Sequence, residues 1–142
     1  MICPDVNPLL YAYRRDLPQH PEYARWLKTL MSGAEPVGVS ELVLSAVVRL
    51  ATNHRIFTEP SAPDEVLAYC HAVRTAPAAV PLRPGIHHWD IFENLCREVS
   101  ATANVVPDAY HAALAIENRA TWLTNDRGFA RFPKLMWRKP FQ

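Results

Sequence analysis

Four acids stand in similar settings along the sequence. Asp5 follows Met1-Ile2-Cys3-Pro4, Glu41 follows Val37-Gly38-Val39-Ser40, Asp108 follows Val105-Val106-Pro107, and Asp126 follows Trp122-Leu123-Thr124-Asn125. Each comes after a short apolar run of strand character and before a segment that reads as helix or turn. In open α/β sheets, the carboxyl ends of the strands are where ligands and chemistry collect. Four carboxylates gathered there would lose hydration and raise one another's proton affinity. A hard divalent cation offsets that cost, and Mg²⁺ or Mn²⁺ takes oxygen ligands together with substrate phosphate. The chemistry this predicts is metal-assisted hydrolysis of a phosphodiester.

Each acid also has a structural explanation when taken alone. Asp5 and Asp108 would serve as helix caps, Glu41 as a first-turn acid favoured by the helix dipole, and Asp126 as a turn residue ahead of Arg127-Gly128. The recurrence of one setting at four separate strand ends is what points to a site.

The elements that must position these acids follow from the punctuation of the chain. Pro8 opens a helix through Tyr13, Pro21 opens another to about Met31, and Leu42 to Leu50 is apolar on nearly all sides, as in a buried helix. Ser61-Ala62-Pro63-Asp64 reads as a capping box that starts a helix to about Thr75, and His88 to Ala101 is amphipathic. Ala109 to Glu117 has the composition of a buried helix. Short strands are expected at Met1–Cys3, Val37–Ser40, Val80–Leu82, Val105–Val106, Thr121–Thr124 and Leu135–Trp137, with one helical turn at Phe129–Phe132. Pro4 is acceptable only as a last strand residue, because it donates no ladder hydrogen bond. Strands alternating with helices predict a parallel sheet covered on both faces.

Composition narrows the function classes. The chain has 142 residues, 49% hydrophobic and 20% charged, which predicts one folded domain over residues 1–142. With 15 Lys+Arg against 14 Asp+Glu the net charge is +1, so nucleic acid would not be held by bulk charge alone. Bound metal or a local arginine patch must counter phosphate. Three scattered cysteines without a Cys-x-x-Cys pair argue against a disulfide framework and a structural zinc, and fit reduced thiols in a cytoplasmic protein. No basic leader and no run of roughly 18 apolar residues is present, so neither a signal peptide nor a membrane span is expected.

The motifs D-V-N at Asp5–Asn7, S-E-L at Ser40–Leu42, P-D-A at Pro107–Ala109 and T-N-D-R-G-F at Thr124–Phe129 stand out, with R-L-A-T-N-H-R-I-F at Arg49–Phe57 and A-R-F-P-K-L-M-W-R at Ala130–Arg138. Together they resemble those of the PIN-domain ribonucleases, and more narrowly the VapC toxins of bacterial toxin–antitoxin pairs. The resemblance spans essentially the whole chain. It implies a three-layer α/β/α sandwich around a short, mostly parallel sheet, and Mg²⁺- or Mn²⁺-dependent endonucleolytic cleavage of RNA. It implies that Asp5, Glu41, Asp108 and Asp126 hold the metal, with Asn7, Thr124 and Asn125 as polar helpers around the substrate. It further implies a small VapB-like antitoxin as partner, and a homodimer or a dimer of toxin–antitoxin pairs. Two positions depart from the pattern: Gly128 stands where many PIN domains carry a further acid, and Pro4 replaces an aliphatic residue before Asp5. The alternatives are a non-catalytic PIN-like RNA-binding scaffold and a metal-dependent phosphatase of small substrates.

Further residues have readings of their own. Arg127 is the candidate for gripping RNA phosphate through its guanidinium fork, with Arg14, Arg15 and Arg55 as additions to the same patch. His87 and His88 read as surface or cap residues, His111 as core or solvent-facing, and Tyr23, Trp26 and Leu27 as core.

Overall fold

A computed structural model describes residues 1–141 of the chain. Its centre is a sheet of five strands in the order β3-β2-β1-β4-β5, every pair parallel. The strands are β1 (Ile2–Pro4), β2 (Val37–Val39), β3 (Ala79–Pro81), β4 (Thr121–Leu123) and β5 (Trp137–Arg138). Parallel neighbours require long crossovers, and here each of the first three holds two helices. Helices α1 (Val6–Tyr13) and α2 (His20–Met31) lead from β1 to β2. Helices α3 (Glu41–Ala51) and α4 (Pro63–Arg74) lead to β3, and α5 (His88–Val99) and α6 (Val105–Glu117) lead to β4. A 3-10 turn over Arg127–Arg131 then precedes β5. Helix packing joins α2 and α3 to α1, α4 to α3, and α5 to α6, and the result is the α/β/α arrangement expected.

The central strands are buried on both faces, which is why they read as unbroken apolar runs. Cys3, Val37 and Trp122 are wholly inaccessible, and the buried core extends through Leu9, Val43, Val47, Leu114 and Phe129. Pro4 closes β1 opposite Leu123, in the one strand position where its missing N–H costs no ladder bond, and Asp5 N–H resumes the pairing to Leu123 O at 2.9 Å.

Three expectations are corrected. Val105–Val106 is not a strand but the first turn of α6. Both sides of β1 are already taken by β2 and β4, so a further strand beside it would have no partner. Ser100 and Ala103, with φ of 51° and 49°, turn the chain directly from α5 into α6, and Pro107 fits the first helical turn, where N–H groups lack intrahelical acceptors. Ser61 does not cap α4, whose N-cap is Ala62; its hydroxyl instead accepts from Arg14 Nη1 at 3.0 Å. The last strand begins at Trp137, after Leu135 has turned into the core.

Candidate active site

Asp5 emerges directly from the end of β1 and serves as N-cap of α1, Oδ1 accepting the Val6 N–H at 2.7 Å. Its second oxygen accepts the Thr124 hydroxyl at 2.6 Å, across the β1–β4 boundary in the buried interior. Thr124 Oγ1 in turn accepts the Asp126 N–H at 3.0 Å, and Asp126 Oδ1 accepts the Gly128 N–H at 2.7 Å. One polar chain therefore ties the ends of two adjacent strands and orients two carboxylates by main-chain and hydroxyl donors. The parallel register of β1 with β4 is what brings together residues 119 positions apart.

Asp108 reaches this place from the first turn of α6 and not from a strand end. Burial, then the charges of Asp126 and Asp5, push its carboxyl up to about 6, while the Arg131 guanidinium opposes the rise. Asp5 is also pushed above the usual carboxylate range, chiefly by burial and also by Asp126; the Thr124 and Val6 hydrogen bonds, and weakly the Trp122 indole, hold it down. Three carboxyl groups thus share one field at the carboxyl edge of β1 and β4.

Glu41 stands at the equivalent edge of β2, opening α3. Its side chain, 61% exposed, pairs instead with Arg74 and Arg83, each at 3.6 Å. The structure therefore brings Asp5, Asp108 and Asp126 together and places Glu41 one strand over, held by arginines. Among the predicted polar helpers, Thr124 is integral to the chain of bonds, whereas Asn125 donates to the Tyr23 hydroxyl at 2.5 Å and Asn7 is exposed in the first turn of α1. Arg127 is exposed at the start of the 3-10 turn.

Some sequence expectations near the site change. Arg14 is not available to a surface patch: it is 8% exposed, forked onto Asp16 at 2.8 and 2.6 Å, and lies over the Phe57 ring. His88 is buried, its Nε2 3.1 Å from Tyr110 O. His111 is in the core, stacked on Trp122. Tyr23 and Leu27 are buried as expected, while Trp26 is half-buried against Phe141. Arg131 is a site residue that the sequence did not single out, although R-G-F-A-R places it one short turn beyond Arg127; its Nε donates to Gly128 O at 2.7 Å. Arg74 and Arg83 gave no sequence signal either, since neither lies beside an acid in the chain.

Among the described residues, no three His, Cys, Asp or Glu side chains already stand at ion-coordinating spacing. The chemistry of the aspartate set nevertheless fits a hard divalent cation: all donors are carboxylate oxygens, and the repulsion felt by Asp5 and Asp108 is of the kind a cation relieves.

The PIN-domain profile matches residues 2–135. A VapC ribonuclease of Mycobacterium bovis is 48% identical over 99% of this chain and 95% of its own length. Ribonuclease VapC31 of Mycobacterium tuberculosis is 37% identical over 99% of both. The crystal structure of VapBC2 from Rickettsia felis bound to a promoter DNA fragment superposes with a TM-score of 0.70, covering 98% of each chain at 19% identity, a likeness of fold.

Proposed function

The chain belongs to the PIN-domain family, and from that premise we propose that it is a metal-dependent endoribonuclease, the toxin of a VapBC-type toxin–antitoxin module. The observation that carries the reading is the group of Asp5, Asp108 and Asp126 at one sheet edge, in a chain nearly half identical to a VapC ribonuclease throughout. Asp5, Asp108 and Asp126 would hold the divalent ion, Mg²⁺ or Mn²⁺, and Glu41 would join them once its side chain leaves the arginines. Bound there, such an ion supplies positive charge against a phosphoryl oxygen and lowers the proton affinity of an attacking water.

The protein's own groups have separate tasks. Thr124 fixes the rotamer of Asp5 and the start of the Asp126 turn at once. Asn125, Asn7 and Arg127 face the RNA backbone, Arg127 through its guanidinium fork. Arg131 moderates the charge around Asp108. The partners are RNA as substrate, a small VapB-like antitoxin, and a second copy of the chain in a homodimer or a dimer of toxin–antitoxin pairs.

The test is cleavage of an end-labelled RNA by purified protein with Mg²⁺, with Mn²⁺ and with EDTA, in parallel for wild type, Asp5→Asn and Asp108→Asn. Cleavage by wild type that needs the ion and falls at least about a hundredfold in both variants is expected. Cleavage unaffected by either substitution, or turnover of a phosphomonoester with RNA left intact, would remove the reading.

A further inference from the structure

Along the sheet edge from the aspartate group, the carboxyl ends of β2 and β3 enclose a hollow of about 140 Å³, lined by Glu41, His71, Arg74, Thr75 and Arg83. Its position is set by the sheet. Val39 and Pro81 end two paired strands in register, so Glu41, two residues past β2, and Arg83, two residues past β3, project from the same edge as Asp5. Arg74 ends α4 and lines the same hollow. Neighbouring strands are about 5 Å apart, so this hollow lies one to two strand spacings from Asp5 along the edge.

Two guanidinium groups thus converge on one carboxylate, one on each of its oxygens, at 3.6 Å. That spacing is longer than a charge-assisted hydrogen bond. Arg74, Arg83 and Glu41 are 48%, 65% and 61% exposed. Such pairs contribute little to folding and open readily. An RNA strand entering an edge that carries three aspartates needs local positive charge, and a net charge of +1 leaves no general surplus to supply it.

We propose that Arg74 and Arg83 form a binding site for a backbone phosphate of single-stranded RNA, and that the Glu41 carboxylate occupies this site in the free protein. The inference rests on the ribonuclease reading. The phosphodiester oxygens replace the Glu41 oxygens between the two guanidinium forks, and the displaced Glu41 side chain swings towards Asp5. Substrate arrival and completion of the acid group are in this way one exchange: an anion enters the arginine hollow and a carboxylate leaves it.

The experiment measures binding, not turnover. Fluorescence anisotropy of a labelled, uncleavable 2′-O-methyl oligoribonucleotide is followed in EDTA across a salt series, for wild type, Arg74→Gln/Arg83→Gln and Glu41→Gln. The double variant is expected to bind about tenfold more weakly, with a slope of log K against log salt shallower by about 0.7, the value for one phosphate of a single strand left unneutralised. Glu41→Gln is expected to bind about threefold more tightly than wild type, because the competing anion is gone. A folded double variant, checked by circular dichroism, that keeps wild-type affinity and slope overturns the site. Should the double variant fail to fold, Glu41→Gln decides alone, and an unchanged affinity overturns the exchange. Because the assay contains no divalent ion, its failure in a protein that cleaves RNA removes this inference and leaves the ribonuclease reading standing.

Discussion

At Gly128 the reason for the residue is space. A Cβ built there would lie 2.9 Å from Asp126 Oδ1 and 3.1 Å from Arg131 Nη2. The carboxylate that accepts the Gly128 N–H therefore occupies the volume a side chain would need. With glycine at this position, the chain holds Asp126 against bare backbone. Gly128→Ala is expected to push the Asp126 carboxylate aside and weaken Mn²⁺ binding about tenfold, the usual scale for disturbing a group that orients a metal ligand. Isothermal titration with Mn²⁺ checks this, and unchanged affinity would detach Asp126 from the ion. Thr124→Val is a companion case. It removes the 2.6 Å bond to Asp5 and the acceptor of Asp126 N–H together while keeping the shape of the side chain. The expected outcome is a loss of cleavage of roughly tenfold to a hundredfold, with little change in the thermal midpoint. At this scale the sequence was informative about identity and silent about partners. Asp5 and Asp126 stand in the settings the sequence suggested and Asp108 in a helical turn instead of at a strand end, but the arginines around Glu41 come from distant segments that only tertiary packing brings together.

Among the elements, the strands show how local signals succeed and fail. β1, β2 and β4 were readable because an apolar run buried on both faces has no polar alternation to confuse it. Val105–Val106 carries the same local signal and becomes helix, because both sides of β1 are taken by β2 and β4 and that information is not local. Asp108 still arrives at the site because α6 packs against β4 and carries it to the same edge. The connection between α3 and α4 shows a second non-local device. Arg14, just past α1, donates to Glu59 O and Ser61 Oγ, both at 3.0 Å, and to both oxygens of Asp16. With its guanidinium 3.9 Å above the Phe57 ring, it pins the 53–62 loop to the end of α1. Arg14→Met would leave the Glu59 carbonyl and Asp16 without this donor and is expected to cost about 2–3 kcal/mol in urea unfolding. Arg14→Lys recovers little, since an ammonium offers no fork. A loss below about 0.5 kcal/mol would show that the loop is held by other interactions.

For the whole molecule, the deciding feature is that one parallel sheet directs several strand ends to a single edge, so Asp5, Glu41, Arg83 and Asp126 collect there, next to a largely apolar core. The alternation of strands and helices made that architecture legible; the strand order β3-β2-β1-β4-β5, which decides which ends are neighbours, was not. His111 is an ionisable group on the inner side of this boundary. It is 7% exposed, stacked on Trp122 with ring centroids 5.3 Å apart, and its Nδ1 has no hydrogen-bond partner among the described residues. Burial holds its pKa down at about 4, against 6.5 for a free imidazole. The folded protein therefore binds fewer protons at His111 than the unfolded chain between those two values. Stability from this residue is fully present above about pH 6.5 and is lost as pH falls towards 4, by at most roughly 3 kcal/mol. His111→Phe keeps an aromatic ring on Trp122 and removes the proton site. Urea midpoints of the two proteins are expected to diverge on going from about pH 7 to about pH 4.5, with wild type losing more. Parallel losses over that interval would place the acid sensitivity elsewhere, since the only difference between the two curves is the charge that His111 must take up in a dry interior.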